Sequence, residues 1–284
     1  MECQIFLFLY KLKRSCYKLV GNGKVITVSG KGGVGKSTFA ALLLKIMVEH
    51  DGDRDILAVD ADPASSLPDL LGREIDRTQT VGGAAFNLKK RIEKGSSPGG
   101  IPPNITKKSV LEADIFNVLQ EFDDYDLIVM GRTEGEGCYC YPNQLMTEIL
   151  DNLSENYDIT LMDMEAGLEH LSRRTARDVD IMFVITDPSK MGLHTVKRIK
   201  DILKEVHTTF RKMYLIGNRF SDDMKKILDE EAAKLNVEVI GIIPNDPKVA
   251  ELNFGGKPIV NISKDSAAYI AVKEIAKKAG LIKN

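Results

Sequence analysis

Short apolar runs alternate with longer amphipathic stretches along most of this sequence. Continuous apolar runs are typical of parallel strands that are covered on both faces. The runs that predict strands are KVITVS (24–29), DILAVD (55–60), DLIVMG (126–131), ITLMDM (159–164), IMFVIT (181–186), MYLIGN (213–218) and VEVIGII (237–243). Residues 38–50, 144–156, 190–206 and 222–235 predict helices. This order predicts an α/β fold with a doubly wound, mostly parallel sheet, helices on both faces and ligands at the carboxyl ends of the strands.

Residues 73–109 depart from this alternation, because they are polar, contain GSSPGGIPPN and offer no clear strand. A long loop inside a compact domain is usually a functional lid or a partly disordered segment, and both interpretations stay open. We therefore expect one domain over residues 23–284, with a switch-like or lid-like segment at 73–109. Residues 1–22 are an amino-terminal extension of unknown role: an extra strand, a disordered arm or an overlong start to the chain.

Composition indicates an ordinary soluble globular protein, with 43% hydrophobic and 28% charged residues and a net charge of -2. This balance gives no sign of a nucleic-acid or membrane partner. The apolar run at 5–10 is far shorter than the roughly 20 residues of a spanning helix, and basic residues follow it instead of preceding it. We expect a cytoplasmic protein, and in that reducing compartment close cysteines more often bind metal or do redox chemistry than form disulfides.

The segment GKGGVGKS, residues 30–37, fits the phosphate-binding pattern G-x-x-x-x-G-K-[ST] between a predicted strand and a predicted helix. Its glycines let the backbone approach phosphates, and the following helix presents its positive end to them. Lys36 should reach the β and γ phosphates, and the Ser37 hydroxyl should take a Mg2+ position. The expected nucleotide contacts are Gly30, Lys31, Gly32, Gly33, Val34, Gly35, Lys36, Ser37 and Thr38.

Carboxylates follow two of the predicted strands. Asp60 and Asp62 are two residues apart, so in an extended backbone both can face a Mg-nucleotide site, although aspartates also commonly cap a turn. Asp163 ends the apolar run ITLMD. An apolar strand that ends in an acid beside a P-loop is the arrangement that phosphoryl transfer needs, which predicts Mg-dependent phosphoryl transfer from a nucleotide.

The second lysine of KGGVGK, Lys31, resembles the signature of the deviant P-loop ATPases, the family that includes MinD, ParA, the arsenite-pump ATPase and the nitrogenase iron protein. The resemblance implies that Lys31 reaches across a homodimer to the nucleotide of the other subunit. It also implies that Asp60 supports the Mg2+ shell, that Asp62 orients the attacking water and that Asp163 holds Mg2+ through water. Asn218 in GNRF and Pro244 in IPNDP stand where this family meets the adenine.

The segment GEGCYCYP places Cys138 and Cys140 beyond a predicted strand with one residue between them. A disulfide in so small a ring is strained, and a redox pair usually has two intervening residues. Two free structural cysteines remain an alternative, but metal or cluster binding is favoured. A symmetric dimer would bring both pairs together, and four thiolates suit Ni2+, Zn2+ or an iron-sulfur cluster.

Two longer segments, VMGRTEGEGCYCYPNQLM and DMEAGLEHLSRRT, resemble the CooC group of MinD-like ATPases, the accessory proteins that help place nickel in carbon monoxide dehydrogenase. The resemblance implies ATP-linked dimerisation, Ni2+ or Zn2+ shared through Cys138 and Cys140 of both chains, and delivery to the nickel-iron-sulfur C-cluster of that client enzyme.

Three other functions compete with this hypothesis. A MinD-like or ParA-like positioning ATPase would need a membrane helix or a DNA-binding surface, and the amphipathic carboxyl-terminal run looks more like a packing helix. An iron-sulfur carrier or reductase of the Mrp or nitrogenase iron-protein type is compatible with the cysteine pair. A pure metal-binding module would leave the P-loop and its three matched aspartates unexplained.

Overall fold

The computed structural model describes residues 23–94, 106, 117–132, 153–165, 179–205 and 210–283. These residues form eight strands: β1 (Lys24–Gly30), β2 (Ile56–Asp60), β3 (Gln120–Glu121), β4 (Asp126–Val129), β5 (Ile159–Asp163), β6 (Val179–Thr186), β7 (Phe210–Asn218) and β8 (Glu238–Ile243). They make one sheet in the order β3-β4-β2-β5-β1-β6-β7-β8. In this described sheet every pair is parallel except β3 with β4.

Helices cover both faces of the sheet: α1 (Lys36–His50), α2 (Leu67–Leu71), α3 (Val81–Lys94), α4 (Lys190–Glu205), α5 (Lys225–Leu235), α6 (Pro247–Phe254) and α7 (Ala267–Lys278). One core contains α1 and α7 side chains together with Ile26 and Val28 of β1. The other contains α3, α4 and α5 side chains together with Val25. The predicted doubly wound α/β fold is therefore confirmed.

All seven predicted strands are present, with ends that differ by up to three residues. The short antiparallel strand β3 was not predicted, because a strand of two residues is too short to show an apolar run or an alternation of apolar and polar positions. The predicted helix at 144–156 lies mostly outside the described residues. The run at the carboxyl terminus is a packing helix as predicted, since α7 buries Tyr269, Val272 and Ile275. No helix within the described ranges is long and apolar enough to cross a membrane.

The expectation of a loop throughout residues 73–109 is wrong for its first part. A 3-10 turn forms at Arg77–Gln79, and α3 continues from Val81 to Lys94. Its buried residues include Val81, Ala84, Ala85 and Leu88, which follow helical spacing. Gly82 and Gly83, which favoured a loop, are needed because a Cβ would lie 2.5 Å from the Arg132 carbonyl and 2.4 Å from the Arg77 carbonyl, respectively. The two glycines therefore let the start of α3 approach the neighbouring backbone closely.

Candidate nucleotide-binding site

The phosphate loop connects β1 to α1, in the centre of the sheet. Gly30, Gly33 and Gly35 have φ values of 147°, 79° and 94°, which side chains rarely adopt. Gly35 is the N-cap of α1, and it supplies no side-chain cap. The first amides of α1 therefore remain available to an anion that binds at the positive end of the helix.

Lys36 starts α1 with a side chain that is only 6% exposed. Its Nζ atom lies 3.9 Å from Oδ2 of Asp62. The other Asp62 oxygen, Oδ1, accepts a hydrogen bond of 2.9 Å from the Ala64 amide. The structure thus brings two of the residues expected to act in catalysis together. Lys31 is partly exposed beside them, and its ammonium forms no ion pair with the described part of the chain.

Asp60 and Asp163 are Cα partners at the ends of β2 and β5, and both are fully buried. The Asp60 oxygens accept hydrogen bonds from the Asp62 amide at 3.1 Å and the Leu67 amide at 3.0 Å. Burial, together with the nearby charge of Asp163, raises the pKa of Asp60 to about 7 despite these hydrogen bonds. Both Asp60 oxygens therefore support the backbone segment after β2 that carries Asp62.

Asp163 has no comparable backbone support. Neither of its carboxylate oxygens has a well-formed hydrogen bond to the described protein groups. Burial raises its pKa to about 6, while the adjacent Ser37 hydroxyl and the Lys36 charge lower it in part. A buried, unpaired carboxylate beside a hydroxyl is costly without a counter-ion. The Asp163 carboxylate and the Ser37 hydroxyl together offer oxygen ligands that fit Mg2+, which prefers carboxylate and water ligands.

A cleft of about 270 Å³ adjoins the phosphate loop, and its lining includes Gly35, Thr38, Asn218 and Pro244. Asn218 and Pro244 thus lie where the base of a bound nucleotide is expected, and their contact with adenine stays a prediction. The Asn218 Nδ2 atom already donates to the Val34 carbonyl at 2.6 Å. This amide therefore supports the phosphate loop, a role that sequence reasoning did not foresee.

Two further residues of the site were missed. Arg219 has a φ of 60°, and it donates to the Gly33 carbonyl at 2.6 Å. Ser66 donates to the Ser37 hydroxyl at 2.8 Å. The only sequence signal for Arg219 was its position directly after the predicted Asn218. Ser66 gave no sequence signal, because its contact with Ser37 depends on the fold of the loop after β2.

Cys138 and Cys140 lie outside the described residues. Within the described ranges, no group of three or more His, Cys, Asp or Glu side chains is placed to hold a metal ion. The four-thiolate site therefore stays a prediction.

A glycine loop at the central strand, a buried lysine and two buried carboxylates in a parallel sheet define a P-loop ATPase that uses ATP and Mg2+. The chain belongs to the CobQ/CobB/MinD/ParA nucleotide-binding domain family, which matches residues 25–259.

Similar proteins refine this picture. The chain is 44% identical over 254 residues to an uncharacterized ATP-binding protein of Methanocaldococcus jannaschii, covering 89% of this chain and 97% of the relative. It is 26% identical over 247 residues to the carbon monoxide dehydrogenase accessory protein CooC of Rhodospirillum rubrum, covering 84% and 90% of the two chains. A ParA family ATPase structure from Chlorobium tepidum has a TM-score of 0.66 at 18% identity, covering 90% and 99%, and supports the fold alone.

Proposed function

We propose that this ATPase is a homodimeric metallochaperone of the CooC type. It binds Ni2+ or Zn2+ through Cys138 and Cys140 of both subunits and assists nickel insertion into the C-cluster of carbon monoxide dehydrogenase. The observation that carries the proposal is the C-x-C pair in a chain that is 26% identical, over 84% of its length, to a CooC protein.

The site geometry supports the roles proposed for individual residues in ATP binding and hydrolysis. Lys36 and the amides of the phosphate loop bind the β and γ phosphates. Asp62, 3.9 Å from Lys36, orients the attacking water. Ser37 and Asp163 would hold Mg2+, with Asp60 supporting its shell, and the ion would neutralise charge on the phosphate oxygens. Lys31, whose ammonium has no ion-pair partner in the described residues, contributes its charge to the nucleotide of the partner subunit.

The cysteines and the nucleotide then act on one dimer equilibrium. Two thiolates make half of a tetrahedral site, and a twofold axis supplies the other half. ATP closes the dimer and the four thiolates assemble the metal site, while hydrolysis opens it and releases the cargo. Because coupling between ligands is reciprocal, ATP raises metal affinity by the same factor by which the metal raises ATP affinity.

Reconstitution of the client tests this function. Nickel-free carbon monoxide dehydrogenase is incubated anaerobically with Ni2+, MgATP and either the wild-type protein or a variant in which both cysteines are serine. We expect faster activation with the wild type only. Equal activation by the cysteine variant would contradict the metallochaperone role.

Metal content separates this proposal from the iron-sulfur alternative. Anaerobically purified protein with nickel or zinc near one per dimer supports the chaperone. Iron and sulfide near four per dimer support a cluster carrier or reductase. Membrane binding through α7, which a MinD-like positioning ATPase would need, is disfavoured because α7 packs its apolar face into the core.

A further inference from the structure

A second cleft, of about 250 Å³, lies at the start of α3 and beside the end of β4. We call it the basic cleft, and its lining consists of Arg77, Thr78, Gly82, Gly83, Phe86, Asn87, Lys90 and Arg132. Three of these residues are cationic, and this described lining contains no carboxylate. Because the whole chain has a net charge of -2, the positive charge is a local feature.

The floor of the basic cleft is held together by hydrogen bonds. The Gly82 amide donates to the Met130 carbonyl at 2.8 Å, and the Gly83 amide donates to the Thr80 hydroxyl at 3.1 Å. That hydroxyl in turn donates to the Arg77 carbonyl at 2.8 Å. These bonds fix the backbone of Arg77 relative to β4 and α3, so the cleft is a preformed part of the fold.

The cations form an accessible rim around this floor. Lys90 and Arg132 are exposed. Arg77 is exposed too, but it already has another interaction within the chain, so the rim depends chiefly on Lys90 and Arg132. The Lys90 Nζ atom lies 4.2 Å from the centroid of the Phe86 ring, which holds the ammonium beside a partly buried aromatic face. Exposed cations beside one aromatic ring are suited to carboxylates that a second molecule presents.

The backbone of the basic cleft does not provide a cradle for a small free anion. The amides of Thr78, Gly82 and Gly83 already donate to Asp76 Oδ1, the Met130 carbonyl and the Thr80 hydroxyl. Binding must therefore come from the exposed cationic side chains, which can pair with carboxylates that a second molecule presents. Nucleic-acid surfaces use longer basic stripes than one cleft offers. We infer that the basic cleft docks a carboxylate-rich segment of a protein partner.

Hydrogen bonds connect this cleft to the nucleotide site. The Met130 amide donates to the Asp60 carbonyl at 2.8 Å, and the Met130 carbonyl accepts from Gly82. Met130, which directly follows β4, thus joins the end of β2 at Asp60 to the floor of the basic cleft. A partner docked there contacts the same edge of the sheet as the nucleotide. The inference goes beyond the metallochaperone proposal, since it does not depend on the cargo.

The test measures fluorescence anisotropy of a labelled octapeptide of alternating Glu and Asp at low salt. The full-length protein is compared with the triple variant Arg77→Glu, Lys90→Glu and Arg132→Glu. The matched control is Lys94→Glu, which reverses an exposed charge on α3 outside the cleft lining. We expect the Kd to rise by about tenfold or more in the triple variant and to stay within about twofold in the control, because charge reversal repels the peptide.

Equal affinity in the triple variant, or equal loss in the control, overturns the inference. So does cleft-dependent binding of a single-stranded oligonucleotide or of phosphatidylserine vesicles that exceeds binding of the peptide. Basal ATPase activity and thermal stability of the triple variant confirm that it is folded. Lys36→Ala, which removes nucleotide binding, keeps peptide binding, so failure of the docking site and failure of the ATP-driven function are distinguishable.

Discussion

Asp60 and Asp163 are adjacent Cα partners on β2 and β5, yet their carboxylates have opposite surroundings. Both Asp60 oxygens accept backbone hydrogen bonds, whereas neither Asp163 oxygen has a well-formed bond to the described protein groups. Two buried carboxylates side by side also repel each other, and burial with this repulsion raises the pKa of Asp60. The pair therefore combines one carboxylate that supports the backbone after β2 with one whose oxygens are suited to be ligands of a cation.

The same substitution at these two positions should have opposite effects on stability without ligand. Asp163→Asn removes an unpaired buried charge, and we expect it to stabilise the protein by about 1 kcal/mol or more. Asp60→Asn also removes a buried charge, but it places an amide donor against a backbone amide in place of one acceptor, and we expect the lost hydrogen bond to dominate with a net loss of about 1–3 kcal/mol. Urea denaturation measures both, and Mg-dependent ATPase activity should be lost in Asp163→Asn. Destabilisation by Asp163→Asn would show that its carboxylate is paired in solution.

Stability should also depend on pH through this pair. Because the pKa values of Asp60 and Asp163 are raised to about 7 and about 6, the folded protein binds more protons than the unfolded chain above pH ~4. The free energy of unfolding therefore falls as the pH rises from about 4 to about 7. The stability advantage of Asp163→Asn should grow between about pH 5 and pH 7.5 when Mg2+ and nucleotide are absent. A constant difference across that range would argue against the raised pKa values.

Asn218 supports the phosphate loop through its amide group, and this role can be tested separately from its predicted contact with adenine. Asn218→Asp keeps the shape but loses the donor to the Val34 carbonyl, and its charge disfavours phosphates. We expect ATP affinity to fall by about tenfold or more, the effect of losing a hydrogen bond of about 1.5 kcal/mol. Calorimetric titration of ATP and of inorganic triphosphate separates the roles: a contact with the base alone would leave triphosphate binding unchanged.

The two lysines of the phosphate loop should behave differently. Lys36 is buried beside Asp62, so Lys36→Ala should abolish nucleotide binding. Under the proposed function the charge of Lys31 acts in the partner subunit, so Lys31→Ala should keep ATP binding in the monomer but lose hydrolysis and ATP-dependent dimerisation. Equilibrium dialysis and light scattering measure the two properties. Normal hydrolysis by monomeric Lys31→Ala would exclude a cross-subunit role.

Sequence reasoning found the strands because buried parallel strands are continuous apolar runs, as in ILAVD of β2. It found the phosphate loop because the glycines and Lys36 occur at fixed spacing. It missed α3 because Gly82 and Gly83 favour loops locally. In the folded chain glycine is required at both positions because the backbone there lies close to the carbonyls of Arg132 and Arg77. It also missed the contact of Ser66 with Ser37, which residues far apart in sequence create only after folding.

Metal stoichiometry in the nucleotide-bound dimer tests the central claim most directly. The protein and the variant with Cys138→Ser and Cys140→Ser are loaded anaerobically with Ni2+ and a non-hydrolysable ATP analogue, then separated by size exclusion with light scattering and metal analysis. We predict one nickel per wild-type dimer, no nickel in the variant dimer and loss of the metal when ADP restores the monomer. One nickel per dimer in the double variant, or nickel that stays on the wild-type monomer, would contradict the account.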